Sequence, residues 1–69
     1  MTVTVNGETT ELADDTTVEQ VLAGHLGPGS TTSGVAVALN GEVVAPTEWS
    51  ARRIEPHDRV EVLAARGGG

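Results

Sequence analysis

The last seven residues, Leu63-Ala64-Ala65-Arg66-Gly67-Gly68-Gly69, end in three consecutive glycines directly after a segment that alternates like a β-strand. Glycine carries no Cβ and holds no preferred conformation. A run of glycines can therefore thread, extended, into a narrow channel and set a terminal carboxylate beside a nucleotide. The rest of the inventory narrows where covalent chemistry can occur. There is no cysteine, and the four basic residues, Arg52, Arg53, Arg59 and Arg66, are all arginines. Without a thiol the chain cannot carry sulfur as a side-chain persulfide, and without lysine the α-amino group is the sole amine able to attack an activated carboxylate. The Gly69 carboxylate is then the best attachment point for a covalently carried group. Two plainer accounts stay open: an arginine-over-lysine preference of the source genome, and a flexible tail or linker for the glycines.

Other chemistry-bearing residues do not assemble into a site. Gly27-Pro28-Gly29-Ser30-Thr31-Thr32-Ser33-Gly34 looks superficially like a phosphate-cradling loop. It lacks the lysine and lies after a helix and before a strand, the reverse of a P-loop. His25 falls beside the apolar face of that helix and His57 in a Pro-His-Asp turn, with no cysteine and no acidic residue at ligand spacing to both, so no metal site is expected. Ser30, Ser33 and Ser50 have no nucleophile context, and the ten carboxylates are spread along the chain. No catalytic residue and no bound cofactor are expected.

The elements that would carry the tail follow from alternation and turn chemistry. Thr2–Val5 and Glu8–Leu12 flank Asn6-Gly7, a strong hairpin signal. Thr16-Thr17-Val18-Glu19 has capping-box spacing and predicts a helix over about Thr17–Leu26, with the Thr16 hydroxyl on the Glu19 N–H. Asp14 and Asp15 sit at its positive end. Val18, Val21, Leu22 and Leu26 share one helix face, and Gly27-Pro28-Gly29 ends the helix. Val35–Leu39, a second Asn-Gly at Asn40-Gly41 and Glu42–Val44 predict a second hairpin. Ala45–Pro56 reads as a connection with at most a helical turn around Glu48–Ala51, pinned to the core by Trp49 and Ile54. Arg59–Ala64 is the last strand.

Hairpin, helix, hairpin, connection and strand form an α+β, β-grasp pattern: a five-stranded mixed sheet packed on one main helix. The expected order is 2-1-5-3-4, with the first and last strands parallel in the middle, because each hairpin keeps its own pair together. Val3, Val5, Val35, Val37, Leu39, Val60 and Val62 turn inward against Val18, Leu22 and Leu26. Thr2, Thr4, Ala36, Ala38 and Leu63 lie on the opposite face, where Leu63 and Ala65 would form the apolar part of a docking patch. Residues 1–64 make up the domain and 65–69 a flexible glycine tail.

The chain has 69 residues and one aromatic side chain, Trp49, so stability rests on Val, Leu, Ile and Ala in one small core. A formal charge of −6 argues against nucleic acid or an anionic membrane as partner and favours a basic protein surface. No apolar run reaches membrane-spanning length and no signal-peptide core follows Met1; a cytoplasmic location is expected.

A β-grasp chain of this size, with Val-Ala-Val-Ala-Leu-Asn-Gly-Glu in its second hairpin, a tryptophan in the following connection, an Asp-Arg-Val-Glu-Val strand and a terminal Gly-Gly, resembles the ThiS sulfur carriers of the ThiS/MoaD ubiquitin-like family. The resemblance spans essentially the whole chain. It implies that an E1-like adenylyltransferase uses ATP to convert the Gly69 carboxylate to an acyl-adenylate. Persulfide-derived sulfur then displaces AMP, and the thiocarboxylate donates its sulfur to thiazole synthase in thiamin thiazole biosynthesis. In this account the chain is a protein cosubstrate, not an enzyme, and Leu63, Ala65, Arg66, Gly67 and Gly68 form the part that partners bind. Three final glycines leave open whether Gly68 or Gly69 is the mature terminus. Other functions share the features: the same chemistry with another sulfur acceptor (molybdenum cofactor, cysteine or a secondary metabolite), a ubiquitin-like modifier, or a plain interaction domain.

Overall fold

The computed structural model describes residues 1–27 and 32–64. The middle of the loop expected over Gly27–Gly34 and the tail residues Ala65, Arg66, Gly67, Gly68 and Gly69 lie outside the described residues. Five strands, β1 (Thr2–Val5), β2 (Glu8–Glu11), β3 (Val35–Leu39), β4 (Glu42–Val44) and β5 (Arg59–Ala64), form one sheet crossed by the helix α1 (Val18–Leu26). Their order is β2-β1-β5-β3-β4, as expected.

Both hairpins turn on Asn-Gly with left-handed backbone at both positions: φ is 51° and 84° at Asn6-Gly7 and 52° and 87° at Asn40-Gly41. Two positive φ values give a turn whose twist matches that of the flanking strands, which is why asparagine and glycine occupy it. β1 pairs antiparallel with β2 from Thr2↔Glu11 to Val5↔Glu8. It pairs parallel with β5 at Thr4↔Arg59 and Val5↔Val60. On the other side β3 runs antiparallel to β5 from Val35↔Ala64 to Leu39↔Val60. β2 was expected to run through Leu12 but ends at Glu11. Leu12 still exchanges bonds with Met1, its N–H reaching the Met1 carbonyl at 2.8 Å and its carbonyl accepting from the N-terminal ammonium at 2.6 Å.

The core holds Val3, Val5, Val18, Val21, Leu22, Val37, Leu39, Val44, Trp49, Ile54, Val60 and Val62. Leu26, expected in it, is only partly buried and packs against its edge, as do Val35, Met1 and Leu12. At about 100° per residue Leu26 projects roughly 80° around the helix from Val18, whereas Val21 and Leu22 flank Val18 on either side.

The helix start differs from the capping box read from spacing. The N-cap is Thr17, one residue later than expected: its hydroxyl accepts from the Gln20 N–H at 3.3 Å, and the Gln20 side-chain oxygen accepts from the Thr17 N–H at 2.9 Å. Thr16 is drawn away because its carbonyl accepts from the Ile54 N–H at 2.8 Å and the Glu19 N–H donates to the Trp49 carbonyl at 3.0 Å. The Val18 N–H donates to the Arg52 carbonyl at 2.9 Å. The four donors at the helix start, which lack intrahelical acceptors, are thus all satisfied, two by the 49–54 connection and two by the cap.

That connection holds a 3-10 turn at Pro46–Glu48, and the expected turn around Glu48–Ala51 continues it: the Ala51 and Arg52 N–H groups donate to the Glu48 carbonyl at 3.1 and 2.8 Å. Pro46 starts it because its fixed φ suits a first helical position and its missing N–H costs nothing there. Trp49 then inserts into the core, its indole N–H donating to the Val44 carbonyl at 3.0 Å. Ile54 is buried as well, so both expected anchors hold the connection.

Candidate functional site: the exit of the last strand

β5 delivers the chain to its tail. It is the central strand, flanked by β1 and β3. Val60 and Val62 alternate into the core, whereas Arg59 and Leu63 face outward and Glu61 is half-buried. Leu63 is 66% exposed although it is a leucine in a central strand. Ala36 lies opposite Leu63, and Ala38 opposite Glu61. Ala38 also pairs with Val43, which is 77% exposed. Leu63, Ala36, Ala38 and Val43 therefore form an outward, mostly uncovered set running from β5 across β3 to β4, a low face with small residues in its middle. Among the described residues Leu63 and Val43 are the exposed large hydrophobic side chains.

Leu63, Ala36 and Ala38 lie on this face as their alternation predicts; Val43 joins them without having been expected there. The signal was present. In Glu42-Val43-Val44 two adjacent valines cannot both face the core of a strand, and the pairing Val37↔Val44 selects Val44. Of the tail residues expected to form the site, the structure describes none: Ala65, Arg66, Gly67, Gly68 and Gly69 follow Ala64, the last described position.

Two asparagines hold the ends of β5, and neither was read as more than a turn residue. The Asn40 side chain accepts from the Arg59 N–H at 2.9 Å and donates to an Asp58 carboxylate oxygen at 2.9 Å. The other Asp58 oxygen accepts from the Glu55 N–H at 2.7 Å. Asp58 is the buried charged residue of the domain, and these contacts satisfy it. Asn6 does the corresponding work further along: its Oδ1 accepts from the Val62 N–H at 2.8 Å and its Nδ2 donates to the Val62 carbonyl at 3.3 Å. Asparagine, unlike aspartate, offers both a donor and an acceptor for this.

The remaining polar groups are dispersed. His25 and His57 are both exposed. His25 contacts Asn6, Nε2 to Nδ2, at 3.5 Å. The Arg59–Glu61 pair at 3.8 Å is exposed on both sides and contributes little to stability. A groove of about 260 Å³ between α1 and the β1–β2 hairpin is lined by Val5, Leu12, Val21 and Gly24 among others. Its lining includes α1 residues Gln20, Val21 and Gly24 and does not include Leu63 or Val43. Among the described residues no three metal-ligating side chains converge, and no helix is long and apolar enough to cross a membrane.

A model of the ThiS family matches residues 3–69. The chain belongs to the ThiS family. Its fold is similar over its full length to solved ThiS structures. A crystal structure of thiamine biosynthesis protein ThiS from Geobacter metallireducens is 32% identical, with 100% of both chains covered and a TM-score of 0.80. A solution structure of a thiamine biosynthesis protein from the same organism is 34% identical, covering 100% of this chain and 88% of that one with a TM-score of 0.77. No curated protein sequence matches. The ThiS family match reaches Gly69, so the glycine end falls within the region the family shares.

Proposed function

We propose that the protein is a sulfur carrier of thiamin thiazole biosynthesis whose reacting group is the Gly69 carboxylate. The observation that carries the reading is a central strand whose outer face is uncovered at Leu63, running directly into Ala65–Gly69 in a chain of the ThiS family. The chain contains neither cysteine nor lysine, which leaves the carboxylate as the group able to accept and release sulfur.

A carboxylate is a poor electrophile, because its charge is delocalised and an oxide leaving group departs badly. In the proposed cycle a carboxylate oxygen attacks the α-phosphorus of ATP on an E1-like adenylyltransferase, and pyrophosphate leaves with the electron pair of the broken P–O bond. The acyl-adenylate carbon then accepts a persulfide sulfur and AMP departs. A thiol cleaves the S–S bond, leaving the thiocarboxylate, and thiazole synthase takes the sulfur. The protein contributes shape and reach: Ala64 to Gly69, extended, spans roughly 20 Å from the sheet. The globule can therefore stay outside a partner's active site while Gly69 enters it. The charge of −6 suits a basic docking surface on that partner, and the Leu63–Ala36–Ala38–Val43 face supplies apolar contact.

ATP–pyrophosphate exchange with the cognate adenylyltransferase tests the reading. The unaltered chain supports exchange. Chains with a residue appended after Gly69, or lacking Gly68-Gly69, lose it, because the reacting carbon is misplaced, while melting temperature stays within about 2 °C since no described contact is removed. Full exchange by the extended chain would show that the terminus is not the reacting group.

A further inference from the structure

We propose that Asn6 is a positioning residue that holds the last turn of β5 extended and so presents the tail for capture; the proposal rests on the carrier reading above. The geometry begins with the β1–β5 pairing, which ends at Val5↔Val60 because the chain then turns at Asn6-Gly7. Along a strand, the N–H and C=O groups of alternate residues point to the same neighbour. Val60, Val62 and Ala64 therefore address the β1 side, and Arg59, Glu61 and Leu63 the β3 side. Beyond Val60, β1 has no further strand residue to offer.

Asn6 fills the gap. Its backbone N–H donates to the Val60 carbonyl at 2.8 Å. Its side-chain amide then takes both backbone groups of Val62, at 2.8 and 3.3 Å. The side chain acts as one more residue of β1 and extends two-sided pairing of β5 to the position before Leu63. Only one orientation of the amide meets both a donor and an acceptor, so the contact is directional. Nδ2 also lies 3.5 Å from His25 Nε2. Nδ2 has no lone pair to offer, so this contact is a hydrogen bond only with the imidazole proton on Nδ1.

The consequence lies in what a partner must order. With Asn6 in place, Leu63 and Ala64 follow a position of β5 that is held on both sides. Without it, β5 is held from Val62 onward by β3 alone. Each further backbone residue that must be ordered weakens capture by a factor of roughly five to thirty. The effect falls on capture and not on the chemistry of the captured carboxylate.

Asn40 provides the control, because it holds the opposite end of β5 by the same kind of bond, on Arg59, and stabilises Asp58 besides. Asn6→Gly and Asn40→Gly both keep the positive φ of the turn without strain and remove only the side chain. The experiment is ATP–pyrophosphate exchange at varied carrier concentration, at a temperature where melts show each variant folded. Asn6→Gly raises the KM for the carrier about tenfold with kcat within about twofold. Asn40→Gly leaves both within about twofold although it melts lower than the unaltered protein. Backbone ¹⁵N relaxation of the free proteins loses order at Leu63 and Ala64 in Asn6→Gly and not in Asn40→Gly. Should Asn6→Gly not fold, Asn6→Asp carries the test: its carboxylate still accepts from the Val62 N–H but cannot donate to the Val62 carbonyl, and KM rises about threefold. Equal KM values for the Asn6 variant and Asn40→Gly, with the unaltered protein active, overturn the positioning role alone. Absence of exchange by the unaltered protein overturns the carrier reading and this proposal with it.

Discussion

Leu22 projects from α1 into the core against the sheet at 2% exposure, packed with the buried valines of the strands. Replacing it with alanine removes buried methyl groups and leaves a cavity, with an expected loss of about 2–4 kcal/mol. Trp49 is the single aromatic residue and is buried, so its fluorescence follows this loss in a denaturant titration without a label. A loss below about 1 kcal/mol would mean that the helix packs loosely. At the residue scale, alternation alone placed Val3, Val5, Val37, Leu39, Val60 and Val62 correctly, because a strand with one covered face has a strict period. It failed where a side chain's role depends on a distant segment. Asn6 and Asn40 read as turn formers, which they are, but their bonds to Val62 and Arg59 cross 56 and 19 positions of sequence. No local spacing carries that information.

At the scale of elements, α1 shows how tertiary contacts override a local signal. Thr16 and Glu19 have capping-box spacing, yet the Glu19 N–H belongs to the Trp49 carbonyl and the cap passes to Thr17 and Gln20. The helix, its hairpins and its last strand were legible because turn chemistry and periodicity agree along the chain; the start of the helix was not, because the connection from Trp49 to Ile54 decides it. Two predictions belong here. Thr17→Ala removes the acceptor for the Gln20 N–H and is expected to cost about 1 kcal/mol. Gly24 sits inside the helix with no atom within 4 Å of where a Cβ would stand. Gly24→Ala is therefore expected to stabilise by about 0.5–1 kcal/mol, since it reduces the entropy lost on folding and clashes with nothing. Thermal or denaturant melts of the two variants read both effects, and a destabilised Gly24→Ala would mean that the groove beside it is filled.

For the whole molecule, the sheet divides labour between its faces: one is packed on α1, and the other stays open at Leu63 and Val43 near the strand that leads to the tail. Leu63→Asp is expected to leave stability within about 0.5 kcal/mol, as for an exposed side chain outside the core. It is also expected to raise the carrier KM in the exchange assay, since a charge replaces apolar contact in the proposed interface. Unchanged exchange kinetics would remove Leu63 from that interface. If sulfur travels on the chain's own end, as proposed, mass analysis of the protein detects it there. The protein is incubated with ATP, the adenylyltransferase and a persulfide donor, and its intact mass and fragments are measured. The expected result is a fraction in which one oxygen has been replaced by sulfur, with the change in the fragment ending at Gly69. Sulfur located at an internal residue, or a C-terminal fragment left unmodified under conditions where the partner enzyme is active, would contradict it.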